Sequence, residues 1–255
     1  MGESNSDTAA QNLTRGSDSS HTTAATVFRH QTGCAMARVV SLKKTEPVLE
    51  PESSSTKERL LHAAKELFAQ KGFHGTSTRE ITRRAGTNLS SLYFHWQSKE
   101  NLYVAVYRHL FQLLADLAQE AVDLLEEGLR SHKPLEDVID PVADRALEFF
   151  DTNRQLARLN LYRVLEDGAL AVQIEKEFEN PLYQAVARCY QKLTEEGLIK
   201  VSDPELLPFS LEILLDHYFA NPEHLERSLG LDREALRVRL RNHFRDTFLR
   251  LLKGA

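Results

Sequence analysis

Residues 58–99 hold the pattern that most constrains the fold, because they alternate short amphipathic segments with strong helix stops. Apolar residues recur at helical spacing over 60–68, and Gly72 then ends that helix. A Ser-x-x-Glu capping box at 77–80 starts a second helix, which Gly86 breaks after about two turns. The segment therefore predicts helices separated by tight turns.

A third short helix follows directly over 89–95. Either Thr87 or Asn88 can cap its first turn, and Ser98 can cap a fourth helix. Two short helices joined by a tight turn, with a supporting helix behind them, form a helix-turn-helix, whose second helix fits the major groove of DNA. The stretch thus predicts binding to double-stranded DNA.

The same residues resemble the TetR/AcrR family of transcriptional regulators. The matching motifs are AA-x-x-LF over 63–68, Gly72, TS-x-x-x-I over 76–81, Ala85-Gly86, LY-x-H over 92–95 and SKE-x-L over 98–102. The resemblance implies an all-α homodimer, with an N-terminal three-helix DNA-binding domain and a helical C-terminal ligand-binding and dimerisation domain. It also implies a repressor that is released by a small-molecule effector. Because a two-fold dimer places two recognition helices on equivalent half-sites, we expect a near-palindromic operator.

Three regions follow from these boundaries. Residues 1–55 are rich in Ser, Thr and Ala and lack the large apolar groups that offset ordering entropy, so we expect a disordered tail. Residues 56–102 form the expected helix-turn-helix domain, and 103–255 the helical ligand-binding and dimerisation domain. Two hypotheses stand for the tail: translation starts at Met36 and residues 1–35 are not made, or the basic residues between 38 and 44 form an arm that touches DNA weakly.

The distribution of charge supports a DNA-binding N-terminal part. Residues 57–110 carry nine Lys and Arg against four Glu, while the whole chain has a formal net charge of −5. The basic excess is therefore confined to the expected DNA-binding region, as a module that contacts phosphates requires. The acidic remainder favours a cationic or neutral effector over an anionic one. The alternative is that the asymmetry reflects solvated helix faces alone.

Composition argues against several other classes. The two cysteines lie far apart in sequence and no apolar run approaches the ~18 residues of a membrane span, so we expect a cytoplasmic protein without membrane contact. No zinc, phosphate-loop or nucleophile-elbow motif is present, so we expect no cofactor, no metal and no catalytic residues. The competing hypotheses are a helical ligand-binding or scaffold protein that no longer binds DNA, and an enzyme of unknown type.

Beyond residue 98 the Pro and Gly positions predict helices and no sheet. Gly128 is expected to end the first of them, and Pro141 to kink or split the second. The predicted helices span 99–127, 134–151, 153–166, 169–178, 181–196, 204–220, 222–229 and 232–252.

Roles within the DNA-binding region follow from helix faces and family positions. Leu92 and Trp96 should face the core, and Asn88 and Ser91 are the base-reading candidates because an amide can bond adenine bidentately. At Leu89 the family frequently has Lys or Arg, and at Trp96 it usually has Phe. By family resemblance, Thr76, Thr78, Tyr93 and Lys99 hold phosphates. The full set of DNA-binding candidates is Thr76, Thr78, Thr87, Asn88, Leu89, Ser90, Ser91, Tyr93, Phe94, His95 and Lys99.

Two further sets of candidate residues, for the dimer interface and for the effector pocket, lie in the expected C-terminal domain. Helix 204–220 is apolar nearly all round and helix 232–252 carries an apolar stripe, which favours a four-helix dimer bundle over closure of a monomeric core. The expected dimer residues are Leu211, Leu215, Phe219, Leu240, Phe244 and Phe248. The candidates for an effector pocket, each also compatible with an ordinary core position, are Tyr162, Arg163, Tyr190, His217 and Tyr218.

Overall fold

The computed structural model describes residues 55–165 and 168–254, and every regular element within them is helical. The helices are α1 (Thr56–Lys71), α2 (Thr78–Arg84), α3 (Leu89–Trp96), α4 (Lys99–Arg130), α5 (Leu135–Thr152), α6 (Arg154–Leu165), α7 (Ala169–Ile174), a π segment (Glu175–Glu179), α8 (Asn180–Glu195), α9 (Leu207–Ala220), α10 (Pro222–Leu229) and α11 (Arg233–Lys253). The tail predicted over 1–55, with its alternative start and its basic arm, lies outside the described residues apart from Ser55. No described helix is long and apolar enough to cross a membrane.

The first three helices form the predicted helix-turn-helix. The capping box is present at α2, where the Ser77 hydroxyl accepts from the Glu80 amide at 3.2 Å and the Glu80 carboxylate accepts from the Ser77 amide at 3.1 Å. Ile81 of α2 and Leu92 of α3 are completely buried, and Trp96 packs against the same core. The core-facing assignment of Leu92 and Trp96 is confirmed.

Helix α4 continues three residues beyond its predicted end. Gly128 was expected to stop the helix, but it lies inside α4. A Cβ at this position would come within 2.5 Å of the Val138 side chain on α5. The glycine therefore permits close packing of α4 against α5. At its other end, α4 enters the DNA-binding region, where Tyr103 meets Phe68 edge-to-face with ring centroids 4.9 Å apart. One continuous helix thus crosses the predicted domain boundary at residue 102.

Helix α5 passes through Pro141 without a break, so a split at this residue is excluded. Pro141 is exposed, and the apolar face of α5 packs inward on α4. Across its other side, α5 is joined to α11 by ion pairs, including Arg245 to Asp140 at 2.5 Å and Lys253 to Glu136. These contacts fix the last helix of the chain against the middle of the body.

The two helices predicted over 169–178 and 181–196 are one uninterrupted helical run, with a π turn where a break was expected. Pro181 has no backbone N–H and its ring would clash with the carbonyl of the preceding turn in a regular helix. The chain instead widens, and the Asn180 amide donates to the Glu175 carbonyl five residues earlier. This π segment places Glu175 and Glu179 on the side that faces α6.

The six residues predicted for the dimer interface lie in or against the core of a single chain. Five of the six have exposed fractions of 9% or less within a single chain, and Leu211 packs partly buried against the same core. The apolar stripe of α11 closes the core of its own chain, and its part in a dimer stays a prediction. The members of this intramolecular set are Leu211, Leu215, Phe219, Leu240, Phe244 and Phe248.

Candidate nucleic-acid interface

Asn88 is the residue that caps the recognition helix α3. Its side-chain oxygen accepts from the Ser91 amide at 2.9 Å and from the Ser91 hydroxyl at 3.1 Å. Because this oxygen already accepts two hydrogen bonds, bidentate recognition of adenine would require breaking the cap. The geometry leaves the amide NH2 of Asn88 as its group for a base edge.

The outer face of α3 is exposed and largely aromatic. Phe94 is 79% exposed and Tyr93 47%, while Leu89 and Ser90 are exposed one turn earlier. Neighbouring exposed apolar side chains that form a patch often mark an interaction site. The predicted candidates Thr78, Thr87 and His95 lie partly exposed around this surface. The structure thus gathers most of the predicted DNA-binding residues at one end of the molecule.

Thr76 does not belong to this surface. Its side chain is 2% exposed, and its hydroxyl donates to the carbonyls of Leu67 and Gly72. A hydroxyl buried in this way cannot reach a phosphate. Thr76 instead fixes the turn between α1 and α2.

Lys99 also has an internal role that the sequence did not indicate. Its ammonium donates to the carbonyls of Phe73 and Thr76, both at 2.9 Å, and lies 4.0 Å from the centroid of the Phe73 ring. An ammonium has three donors, so two of them tie the start of α4 to the α1–α2 turn. Lys99 is therefore first a structural residue of the DNA-binding part.

Two arginines on α2 provide the positive charge that sequence reasoning assigned to Lys99. Arg79 and Arg83 are one turn apart and exposed, and neither makes an ion pair among residues 55–165 and 168–254. By contrast, Lys71 pairs with Glu80 at 2.7 Å, and the neighbouring Arg84 pairs with Glu66 at 2.5 Å. The sequence alone does not show which cations are paired with a carboxylate and which remain free to contact phosphate; the structure does.

The five residues predicted to line an effector pocket do not converge. Tyr190 is sealed in the core with its ring 6.5 Å from that of Phe248, and burial raises its pKa beyond its ordinary range. His217 is exposed, and the ring of Tyr218 lies toward His243 on α11. These three residues therefore share no site.

Tyr162 and Arg163, which are adjacent on α6, have distinct environments. The Tyr162 hydroxyl donates to the Gln70 carbonyl of α1 at 3.1 Å, so it joins the body to the DNA-binding part. Arg163 is buried and pairs with Glu179 of the π segment at 2.7 Å. Of the five candidates, only Arg163 belongs to a buried polar cluster.

None of the five candidates lines either of two cavities found in the described part of the chain. The larger, of about 300 Å³, lies beside the end of α3, and the smaller, of about 40 Å³, lies between α5 and α11. The residues around the larger cavity include Lys57, His95, Trp96, Arg108 and Gln173.

The architecture and this surface define a helix-turn-helix DNA-binding protein. A short helix is held by a capped turn on two supporting helices and presents its outer face to solvent. Exposed arginines flank it on the preceding helix. This is the arrangement in which one helix enters the major groove while its partner crosses the phosphate backbone.

Comparison with known proteins identifies the family. Residues 60–106 match the family model of bacterial regulatory proteins of the tetR family. An uncharacterised HTH-type transcriptional regulator of Bacillus subtilis, YdgC, is 25% identical over 186 residues, which cover 66% of this chain and 94% of the relative. The HTH-type transcriptional repressor AcnR of Corynebacterium diphtheriae is 24% identical over 197 residues, covering 74% of this chain and 96% of the relative.

A solved structure has the same fold. A TetR-family transcriptional regulator from Mesorhizobium loti superposes with a TM-score of 0.53 at 24% identity, over 78% of this chain and 98% of the other. The chain belongs to the TetR family and is a DNA-binding transcriptional regulator.

Proposed function

We propose that the protein is a homodimeric repressor that is released from a near-palindromic operator by a small-molecule effector. The observation that carries the proposal is the solvent-exposed face of α3, with its capped first turn. Beside it lie Arg79 and Arg83 of α2, which make no ion pair within the described part of the chain. The name of AcnR as a repressor supports repression over activation. The helical part of the chain after residue 102 would provide the dimer interface and the effector site.

In this proposal α3 reads base edges in the major groove. Ser90 and the amide NH2 of Asn88 donate to bases, and Leu89 contacts a thymine methyl. Tyr93 and Thr78 donate to phosphates, as the amides at the start of α2 also do. Arg79 and Arg83 supply the electrostatic part of the affinity, which carries no sequence information.

The proposed dimer uses the outer face of α9. Ile213 and His217 lie one turn apart on this face, Leu206 immediately precedes the helix, and Ile213 is 67% exposed. They replace the buried residues first predicted for the interface. Pairing of α9 with its copy would cover apolar surface that a single chain leaves in water.

Release requires a physical link between body and DNA-binding part, and α6 provides it. The Tyr162 hydroxyl holds the Gln70 carbonyl of α1, and the Tyr107 hydroxyl of α4 holds the Leu159 carbonyl of α6 at 2.7 Å. A ligand that displaces α6 would change the separation of the two recognition helices of the dimer. Its binding would shift the population of dimer conformations toward one that does not fit the operator.

The test is a gel-shift titration of the full chain on DNA from beside its own gene, with a scrambled duplex of equal composition as control. Preferential binding of the promoter DNA supports the proposal. Equal affinity for both duplexes would favour a helical ligand-binding or scaffold protein that no longer recognises an operator.

A further inference from the structure

A buried cluster of acidic residues lies where α6, the π segment, α8 and α9 meet. Arg163 Nη1 lies 2.7 Å from Glu179 Oε2 and 3.5 Å from Glu175 Oε1. On the facing helix α9, Glu212 accepts from the Asn160 amide at 3.1 Å. One turn further along α9, Asp216 is only 4% exposed. We call these residues, with Tyr183, the carboxylate cluster.

The carboxylate cluster holds more acidic groups than cations. Four carboxyl groups face the single guanidinium of Arg163, among the described residues, at a site largely removed from water. Burial, reinforced by the charge of Glu212, raises the pKa of Asp216 to about 8. Burial also raises the pKa of Glu179 to about 7, against the opposing effect of Arg163. The acids thus retain protons because the site lacks a second cation.

Several polar atoms of the cluster have no hydrogen-bond partner among the described residues. They are Arg163 Nε, Asn160 Oδ1 and Asp216 Oδ1, each on a side chain at least nine-tenths buried. An unpaired buried polar atom costs about 1–3 kcal/mol, so native structures seldom leave several together. Three such atoms beside a surplus of carboxyl groups indicate a place for a ligand.

The surroundings favour an organic cation over a metal ion. No group of three or more His, Cys, Asp or Glu in the described part of the chain is arranged to hold a metal. The cluster instead adjoins aromatic rings: Tyr183, whose hydroxyl faces Glu212, meets Phe209 edge-to-face at 4.6 Å. Glu175 and Phe209 are both exposed by more than a third, so solvent reaches the cluster from their side. Carboxylates beside aromatic faces suit a cation with an apolar body.

We propose that the effector is a lipophilic organic cation, held by the carboxylates of Glu179, Glu212 and Asp216 against the rings of Tyr183 and Phe209. The inference rests on the proposed function, since it names the class of ligand that would release the operator. The cation would enter between α6 and α9. The cation would displace Arg163 from Glu179, and Arg163 is next to Tyr162, whose hydroxyl contacts α1. Helix α6 would therefore connect effector binding to release of the DNA.

The probe is tetraphenylphosphonium, and the matched control is tetraphenylborate, which has nearly the same size and shape but the opposite charge. Calorimetric titration of the full chain should give binding of the phosphonium only. The double substitution Glu212→Gln, Asp216→Asn should weaken binding by about tenfold or more, as expected for the loss of charge-assisted contacts. Glu205→Gln, an exposed carboxylate in the turn before α9, should leave the affinity unchanged.

A pH series adds a second readout. Phosphonium affinity of the wild type should rise between pH 6 and pH 8.5 as Asp216 and Glu179 ionise, and Asp216→Asn should reduce this rise. Thermal melting of each variant checks that it folds, and removal of buried like charge should not lower the melting temperature.

Four outcomes would overturn the inference: no phosphonium binding, equal binding of the borate, full affinity in the double variant, or an equal loss in Glu205→Gln. They are distinguishable from failure of the proposed function, because promoter binding without any probe is measured in parallel. A chain that binds its promoter but not the phosphonium refutes only the cationic effector. Failure of the chain to bind the promoter would refute the proposed repressor function.

Discussion

Replacement of Arg79 by alanine should weaken DNA binding through the loss of one phosphate contact per protomer. The side chain is exposed on α2 and has no ion pair among the described residues, so folding should not change. In a two-fold dimer two contacts disappear, and the slope of log affinity against log salt should become shallower by about 1.8. Over a fourfold change in salt, the wild type should lose on the order of tenfold more affinity than the variant.

Fluorescence anisotropy with a labelled promoter duplex, repeated at several salt concentrations, measures this slope. Arg84→Ala is the matched control, because Arg84 is on the same helix but is already paired with Glu66. It should change the slope by less than half as much. Arg79→Ala should weaken binding to random DNA by the same factor, since phosphates carry no sequence information. Identical slopes for the two variants, or an unchanged slope in Arg79→Ala, would refute the assignment.

Three further predictions use the same chain. Ile213→Glu should give folded monomers with little operator affinity, whereas Leu240→Glu should unfold the chain because it buries an unpaired carboxylate. Sedimentation reports the dimer and circular dichroism reports the fold. An Ile213→Glu variant that stays folded and dimeric would rule out a dimer through the outer face of α9. Asn88→Ala should lower the free energy of unfolding by about 1 kcal/mol through loss of the helix cap and should weaken operator binding more than random-DNA binding; equal losses would reduce Asn88 to a cap. The contribution of Asp216 to stability should fall as the pH rises from 3.8 toward about 8, because the native carboxyl keeps a proton that the unfolded chain releases. Asp216→Asn should remove this contribution and so change the melting profile in that window, and a profile equal to that of the wild type would contradict the raised pKa.

Local signals in the sequence were sufficient for the DNA-binding part. The capping box at Ser77, the turn at Gly86 and the core positions Ile81 and Leu92 depend on residues within a few positions of one another. Such short-range chemistry determines helix ends whatever the rest of the chain does. The helix-turn-helix and its exposed face could therefore be predicted without coordinates.

What could not be predicted depends on contacts between distant segments. Lys99 and Thr76 have suitable chemistry for phosphates, but the carbonyls that occupy them come from the fold around the α1–α2 turn. An apolar stripe such as that of α11 shows that a face is buried and not which partner buries it. The carboxylate cluster joins Asn160 to Glu212 across 52 positions, and no periodic pattern connects them.

A symmetric dimer of this chain should read a near-palindromic operator through α3. Footprinting of the full chain on DNA from beside its own gene can detect this arrangement. We expect two equivalent protected half-sites, centred about one helical turn of ~34–36 Å or a multiple apart. Protection of a single asymmetric half-site, or no protection at concentrations that bind random DNA, would contradict it.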